Sequence, residues 1–369
     1  MKNHKTLSIA ALLLCSAPAF AYNTPEHSDF VTSAIGGICS SGTDSPLCAE
    51  LSAYGDFLRF GSVMEDKAAK GFKTVFNGVE FRDEEPERYG PCKEKLLYGE
   101  RHMYCNHYFF IENFLAGRPS AACGSNLLEA TTPECGGKGA FQWESARERG
   151  MRLWEEKVIP NYLSADPGAK ARAYYWLGRV AHLLADMSVP AHVTPHKINF
   201  MEFEHRAFEY EAGRGRVPGI AQEPTPTDLG GLFVELARRS LEIEASVRLD
   251  ACRREPGLDG CASGRATPTK PLESRLQVIN AVFVDAIMAA KPDALSKPEM
   301  VAERDLARAM LTEIKPLTVL YTVRLLELFG VQSGLKPAAM EMPDFLPGAA
   351  DPADQPLLRL MPDFDGAAR

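Results

Sequence analysis

The chain has 369 residues, with 41 lysines and arginines against 49 aspartates and glutamates and a formal net charge of −8. That length suffices for one large domain or two small ones around a sizeable core. The acidic balance argues against a long polyanion such as nucleic acid as a stable partner, because such binding rests on neutralising phosphates, although it leaves room for a local basic cleft.

Residues 1–21 read as a secretory signal peptide. Lys2 and Lys5 supply the positive start, Leu7 to Leu14 the apolar run, and Ala19-Phe20-Ala21 a small-x-small cleavage site. The run is too short for a stable membrane-crossing helix, so no transmembrane segment is expected after processing. Leu13-Leu14 before Cys15 lack the small residue of a lipid-attachment site. Cleavage after Ala21 starts the mature chain at Tyr22, takes the charge to −10 by removing Lys2 and Lys5, and places the protein in the periplasm or outside the cell. Of the nine cysteines, Cys15 leaves with the signal. The others fall in sequence-near pairs, Cys39/Cys48, Cys92/Cys105, Cys123/Cys135 and Cys252/Cys261, and suit disulfides in an oxidising compartment. Each pair would close a loop of about ten residues, contributing about 2–3 kcal/mol on the chain-entropy model. Connectivity stays open at this point. The absence of any Cys-x-x-Cys makes a zinc–thiolate site the weaker reading.

Along the mature chain, Pro25 to Ile35 and Cys48 to Phe60 are short helix candidates, and Thr74 to Phe81 is the one segment with strand character. Phe141 to Leu163 carries apolar Met151, Leu153, Trp154 and Val158 among charges, which predicts a helix ending near Pro160. Lys170 to Met187 predicts a largely buried helix, stopped by Pro190. Phe203 to Ala212 follows, then a Gly/Pro-rich linker from Gly213 to Pro226. Helices over Asp228 to Leu249, Pro271 to Ala290 and Glu299 to Phe329 complete the pattern, the last kinked at Pro316. From Pro337 the composition turns to Pro, Ala, Asp and Leu without period, an extended or disordered tail over 337–369. The class is all-α, with long disulfide-stapled loops and a single domain over 22–336.

The seven histidines of the mature chain are not scattered. His182 and Asp186 stand four apart on a helix dominated by apolar side chains, so they project from one face a turn apart. Burying two polar groups there costs several kcal/mol unless they are paired or bind a metal. His192 lies just past Pro190, and His205 and Glu209 repeat the four-residue spacing. A single such pair is usually a surface ion pair or a satisfied core histidine. Two pairs flanking a third histidine point to a metal, and nitrogen and oxygen donors suit zinc.

The run Leu177-Gly178-x-x-x-His182-x-x-x-Asp186-x-x-x-Pro190-x-His192, followed by His205-x-x-x-Glu209, resembles the zinc-dependent phospholipases C and the related single-strand nucleases of the S1/P1 type. The resemblance implies a multi-helix bundle around three zinc ions. It also implies further ligands: the α-amine and carbonyl of the mature N-terminal residue, here Tyr22 where the family usually has tryptophan; His27; Asp66 in Gly61-Ser62-Val63-Met64-Glu65-Asp66; and His107 in Asn106-His107-Tyr108-Phe109-Phe110. Carried over by position, Asp66, His107, His182 and Asp186 hold one ion. Tyr22 and His27, with a bridging Asp186 oxygen, hold the second, and His192, His205 and Glu209 the third. His102 and His196 are left as neighbours.

Both enzyme types hydrolyse phosphodiesters, and the resemblance makes Asp66 the candidate general base or orienter of the attacking water. The short gap between His192 and His205, the terminal Glu209 and the acidic charge favour a phospholipase C acting on phosphatidylcholine-like lipid at a membrane surface, yielding diacylglycerol and a phosphorylated headgroup. Tyr108, Phe109 and Phe110 are candidates to face a cationic headgroup, against a plain core-packing role. An S1/P1-type nuclease is the alternative reading, and a non-catalytic, zinc-stabilised binding protein the second alternative.

Overall fold

The computed structural model describes residues 24–40, 45–65, 73–82, 94–96, 99–101, 106–117, 120, 144–193, 208, 211–212, 228–254 and 298–335. The expected signal peptide, the helix over Pro271 to Ala290, the tail over 337–369 and most of Phe203 to Ala212 lie outside these residues, although Phe208, Glu211 and Ala212 are helical. Within them the protein is predominantly helical, and the core is formed by helices packed around one central helix.

Helix α1 spans Thr24–Ser40 and α2 spans Pro46–Met64. The second begins earlier than its apolar period suggests because Ser45 accepts from the Cys48 N–H and Pro46 takes the first turn, where a missing N–H costs nothing. Cys39 and Cys48 form a disulfide with Cα atoms 5.2 Å apart, stapling the α1–α2 connection. The other three expected disulfides, Cys92/Cys105, Cys123/Cys135 and Cys252/Cys261, fall outside the described residues, since Cys92, Cys105, Cys123, Cys135 and Cys261 all lie beyond them. Of the four expected staples, the structure therefore shows the one between α1 and α2.

The strand expected over Thr74 to Phe81 is a hairpin, β1 (Lys73–Phe76) with β2 (Val79–Arg82). Asn77 and Gly78 turn it, with φ of 48° and 78°, the positive pair a two-residue hairpin turn needs. Its aromatics settle on the α2 side of the core: Phe76 stacks on Phe60 at 4.3 Å and Phe81 lies 4.6 Å from Tyr175. A second hairpin, β3 (Glu94–Leu96) with β4 (Gly99–Arg101), has no counterpart in the residue pattern. Helix α3 (Ile111–Leu115) follows.

The helix expected from Phe141 starts at α4, Ala146–Leu153. Ser145 and Glu148 form a reciprocal capping box that satisfies two N-terminal N–H groups. Trp154–Val158 then widens into a π-turn before α5, Ile159–Leu163. Pro160 explains it: it lacks the N–H that would bond the Glu156 carbonyl and its ring crowds that carbonyl. The preceding turn opens, and Ile159 donates to Trp154, five residues back.

Helix α6, Ala169–Asp186, is the central one. Every residue in it except Lys170 and Arg172 is buried, as expected of a helix surrounded by others. It contacts α1, α2, α4, α5, α8 (Leu229–Arg254) and α9 (Pro298–Gln332). α6 ends at Asp186, earlier than Pro190 would require, and Pro190 opens the short helix α7, Pro190–Val193. Helix α9 continues through Pro316 without interruption.

The α2–α6 interface is the most extensive among the described residues. Glu50 meets Lys170 and Tyr174, while Ser62 meets His182, so the two helices run in the same direction. Their backbones touch at glycines. A Cβ on Gly178 would lie 2.1 Å from the Leu58 carbonyl oxygen, and one on Gly61 would lie 1.9 Å from that of Tyr175. This approach brings the α2 backbone within hydrogen-bond reach of His182.

Candidate metal centre

The site is assembled by three stretches. Helix α6 supplies His182 and Asp186 at its C-terminal end, both fully buried. The turn after α6 is tight: Met187, Ser188 and Val189 N–H groups bond back to Leu184, Ala185 and Asp186, which brings His192 round toward Asp186. Helix α1 contributes His27 from its first turns, and the segment before α3 contributes His107. The His107 and His192 segments hold one another, with Phe109 N–H donating to the His192 carbonyl at 3.0 Å and His192 Nδ1 donating to the His107 carbonyl at 2.9 Å.

All four imidazoles converge on one carboxylate. Asp186 Oδ1 lies 3.8 Å from His27 Nε2; Oδ2 lies 2.7 Å from His107 Nδ1, 3.5 Å from His182 Nε2 and 4.0 Å from His192 Nδ1. The His27 and His182 rings stack with centroids 3.6 Å apart, and His107 meets His182 edge-on at 5.0 Å. Ligand atoms sharing a tetrahedral ion with bonds of about 2.0–2.1 Å stand about 3.3 Å from one another. The separations of 3.5 and 3.8 Å are close to that spacing, and the 2.7 Å separation of His107 Nδ1 from Oδ2 is a closer ion-pair contact. His27, His182 and Asp186 offer three donor atoms all within 4.8 Å of one another, a group able to hold a metal ion.

The histidine tautomers fit that role. His182 Nδ1 sits 2.6 Å from the Ser62 carbonyl, which can only accept, so Nδ1 carries a proton and Nε2, 3.5 Å from Asp186, is the nitrogen left to meet a cation. Burial, reinforced by the neighbouring His182, His107 and His192, pushes the His27 pKa well below its ordinary value. The centre therefore pairs histidine nitrogen donors with one carboxylate in a buried enclosure, a donor set that suits a zinc-like cation.

A charged layer lies beside the site. Glu65, at the end of α2, is fully buried and accepts from Arg149 Nε at 2.6 Å and from Arg179 Nε. Burial alone would raise its carboxyl, but Arg149 and Arg179 outweigh that effect and hold it well below the usual carboxylate range. No motif in the chain signals this triad, nor the Ser62 carbonyl as a histidine partner.

Of the residues singled out in the sequence, His27, His107, His182, Asp186 and His192 are brought together here. Tyr22, Asp66, His205 and Glu209, with His102 and His196, lie outside the described residues. Tyr108, Phe109 and Phe110 are all buried. Tyr108 packs 4.8 Å from the His192 ring, and Phe109 packs against Phe114 within the protein. Among the described residues no helix is long and apolar enough to cross a membrane. No family model and no curated protein matches the chain, so its likeness to the zinc phospholipases C and S1/P1-type nucleases rests on the motif residues themselves.

Proposed function

We propose that the protein is an exported zinc-dependent phosphodiester hydrolase of phospholipase C type, acting on phosphatidylcholine-like lipids. The observation that carries this reading is the division of Asp186. One oxygen lies nearest His27 and the other nearest His107 and His182, so Asp186 would be the ligand shared by the cations these histidines hold. With Tyr22, Asp66, His205 and Glu209 added from the resemblance, the ligand set accounts for three ions. When bound, zinc would neutralise charge on the phosphoryl oxygens and lower the pKa of water toward ~7.

The chain's own residues divide the remaining work. Asp186 would be the ligand common to the parts of the centre that meet at it. The Ser62 and His107 carbonyls fix the rings of His182 and His192, so the donors are oriented before any cation arrives. Asp66 takes up the proton of the attacking water or orients that water for in-line attack. Burial of the donors excludes bulk solvent and strengthens every interaction within the site. A lipid rather than a nucleic-acid substrate is favoured by the net charge of −8 and by the spacing of His192, His205 and Glu209. The disulfide Cys39–Cys48 agrees with an oxidising, extracytoplasmic location.

The test is a parallel assay of the zinc-loaded mature protein on phosphatidylcholine vesicles and on single-stranded DNA. Release of diacylglycerol, lost on chelation and restored by zinc, is the expected result. Nucleotide release would transfer the assignment to the nuclease reading. Tight zinc binding with neither product would leave a metal-stabilised binding protein.

A further inference from the structure

The triad Arg149–Glu65–Arg179 sits where stability alone gives no reason for it. All three groups are buried, two positive charges face one negative, and they come from α4, the end of α2, and α6. Taking such charges out of water costs several kcal/mol each, and replacing a buried ion pair by apolar residues is often neutral or stabilising. Its placement is more telling. Glu65 follows Ser62 by three residues and Arg179 precedes His182 by three. The Glu65–Arg179 contact and the Ser62 carbonyl–His182 hydrogen bond therefore span the same helix pair about one turn apart. Between these helices the glycines Gly61 and Gly178 leave backbone against backbone, with no interlocking side chain at the closest point. Arg149 fixes the second carboxylate oxygen from a third helix, and the Arg179 guanidinium lies over the Trp176 ring at 4.8 Å.

We propose that Glu65, gripped by Arg149 and Arg179, is a positioning residue for the metal centre: it sets the register of α2 on α6 so that the Ser62 carbonyl holds His182 in its ligating orientation. This inference rests on the metal-centre reading above. It makes Glu65 act through His182 and not on substrate, and it assigns the arginines a geometric role in place of an electrostatic one. A role through charge makes the opposite prediction, because the excess positive charge beside the site repels a cation and its removal would tighten binding.

The experiment uses the full mature protein and its Glu65→Gln, Arg149→Met and Arg149→Lys variants. Zinc affinity is measured by competition with a chromophoric chelator, and coordination by the visible absorption of the cobalt-loaded protein. Far-UV circular dichroism verifies folding. Loss of a partner that orients a ligand weakens metal binding about 10–100-fold, so Glu65→Gln and Arg149→Met are expected to do so with an altered cobalt spectrum. Arg149→Lys, which keeps one donor, should fall between them and the parent, and it carries the test alone if the other two do not fold. Folded variants with the parent's cobalt spectrum and an affinity within about twofold overturn the proposal, as does tighter zinc binding in Arg149→Met. A parent protein that binds neither zinc nor cobalt overturns the metal reading and the positioning role together. A metal-binding parent with unmoved variants overturns the positioning role only.

Discussion

On helix α9, Thr318 and Thr322 are buried, and each hydroxyl turns back on its own helix, to the carbonyls of Ile314 and Thr318. On helix α6, the buried Arg179, His182 and Asp186 all reach away from their helix, to Glu65 and Ser62 on α2, to His27 on α1 and to His107. Both helices carry polar groups into the buried interior. The difference lies in where those groups find partners. A hydroxyl that returns to the preceding turn satisfies itself and asks nothing of the surrounding fold. A group satisfied only by other elements makes the site depend on how those elements are docked. Polar burial at Thr318 and Thr322 is a matter of local bonding, and polar burial at Arg179, His182 and Asp186 is the framework of the candidate site.

The comparison breaks most sharply at Asp186. Asp186→Asn should abolish phosphodiester hydrolysis and weaken zinc binding by at least the ~100-fold seen for the strongest supporting interactions, since it alters a ligand itself. The metal-free variant should unfold at nearly the parental temperature, because the carboxylate serves binding more than stability. Retained activity or retained zinc stoichiometry in this variant would sink the reading of α6. Gly178→Ala comes next. Its methyl group would press on the Leu58 carbonyl, so a loss of about 2–3 kcal/mol in urea unfolding is expected, with reduced metal affinity in the folded remainder.

A smaller, graded effect is expected from pH. The folded-state pKa of His27 is lowered, by burial first and by its histidine neighbours second, while the unfolded value stays near ~6.5. Between the two values the unfolded chain binds the extra proton. The metal-free protein should therefore lose up to about 1.4 kcal/mol per pH unit from this one group as pH falls below about 6.5. A metal-free stability that is flat from about pH 7 to pH 5 would contradict the burial of a neutral His27. The smallest effect belongs to α9. Thr318→Val removes one local hydrogen bond and should cost no more than about 1 kcal/mol, leaving zinc affinity unchanged. A large loss of metal binding there would erase the distinction between the two helices.

The helices were legible where apolar spacing dominates, as in α6 and α8, and their starts were legible where cap chemistry is read with it. Ser145 and Glu148, three apart, mark the true start of α4 inside the stretch expected from Phe141, and Ser45-Pro46 marks that of α2 ahead of the start expected at Cys48. Asn77-Gly78 likewise signals the hairpin turn inside what reads as one strand. His182 and Asp186 stood out because four-residue spacing on an apolar helix is chemically costly without a purpose. His27 and His107 were reachable only through family resemblance, since nothing local distinguishes them. The Arg149–Glu65–Arg179 triad was not legible, because its members lie 84 and 114 residues apart and meet only after α2, α4 and α6 have packed.

The disulfide Cys39–Cys48 takes on a second meaning once His27 is placed. Cys39 stands in the last turn of α1 and His27 near its first, twelve residues away, or about 18 Å along the axis. The helix is thus a beam with a fastening at each end, one covalent and one, in the proposed holoenzyme, coordinate. On the proposed function both fastenings would depend on conditions found beyond the cytoplasm: an oxidant for the thiols, and a removed leader to complete the ligand set around Tyr22. A reduced, unprocessed precursor would hold α1 by packing alone. On that proposal, export would serve as the activation step, keeping a lipid-cleaving centre unassembled until the chain has left the cytoplasm.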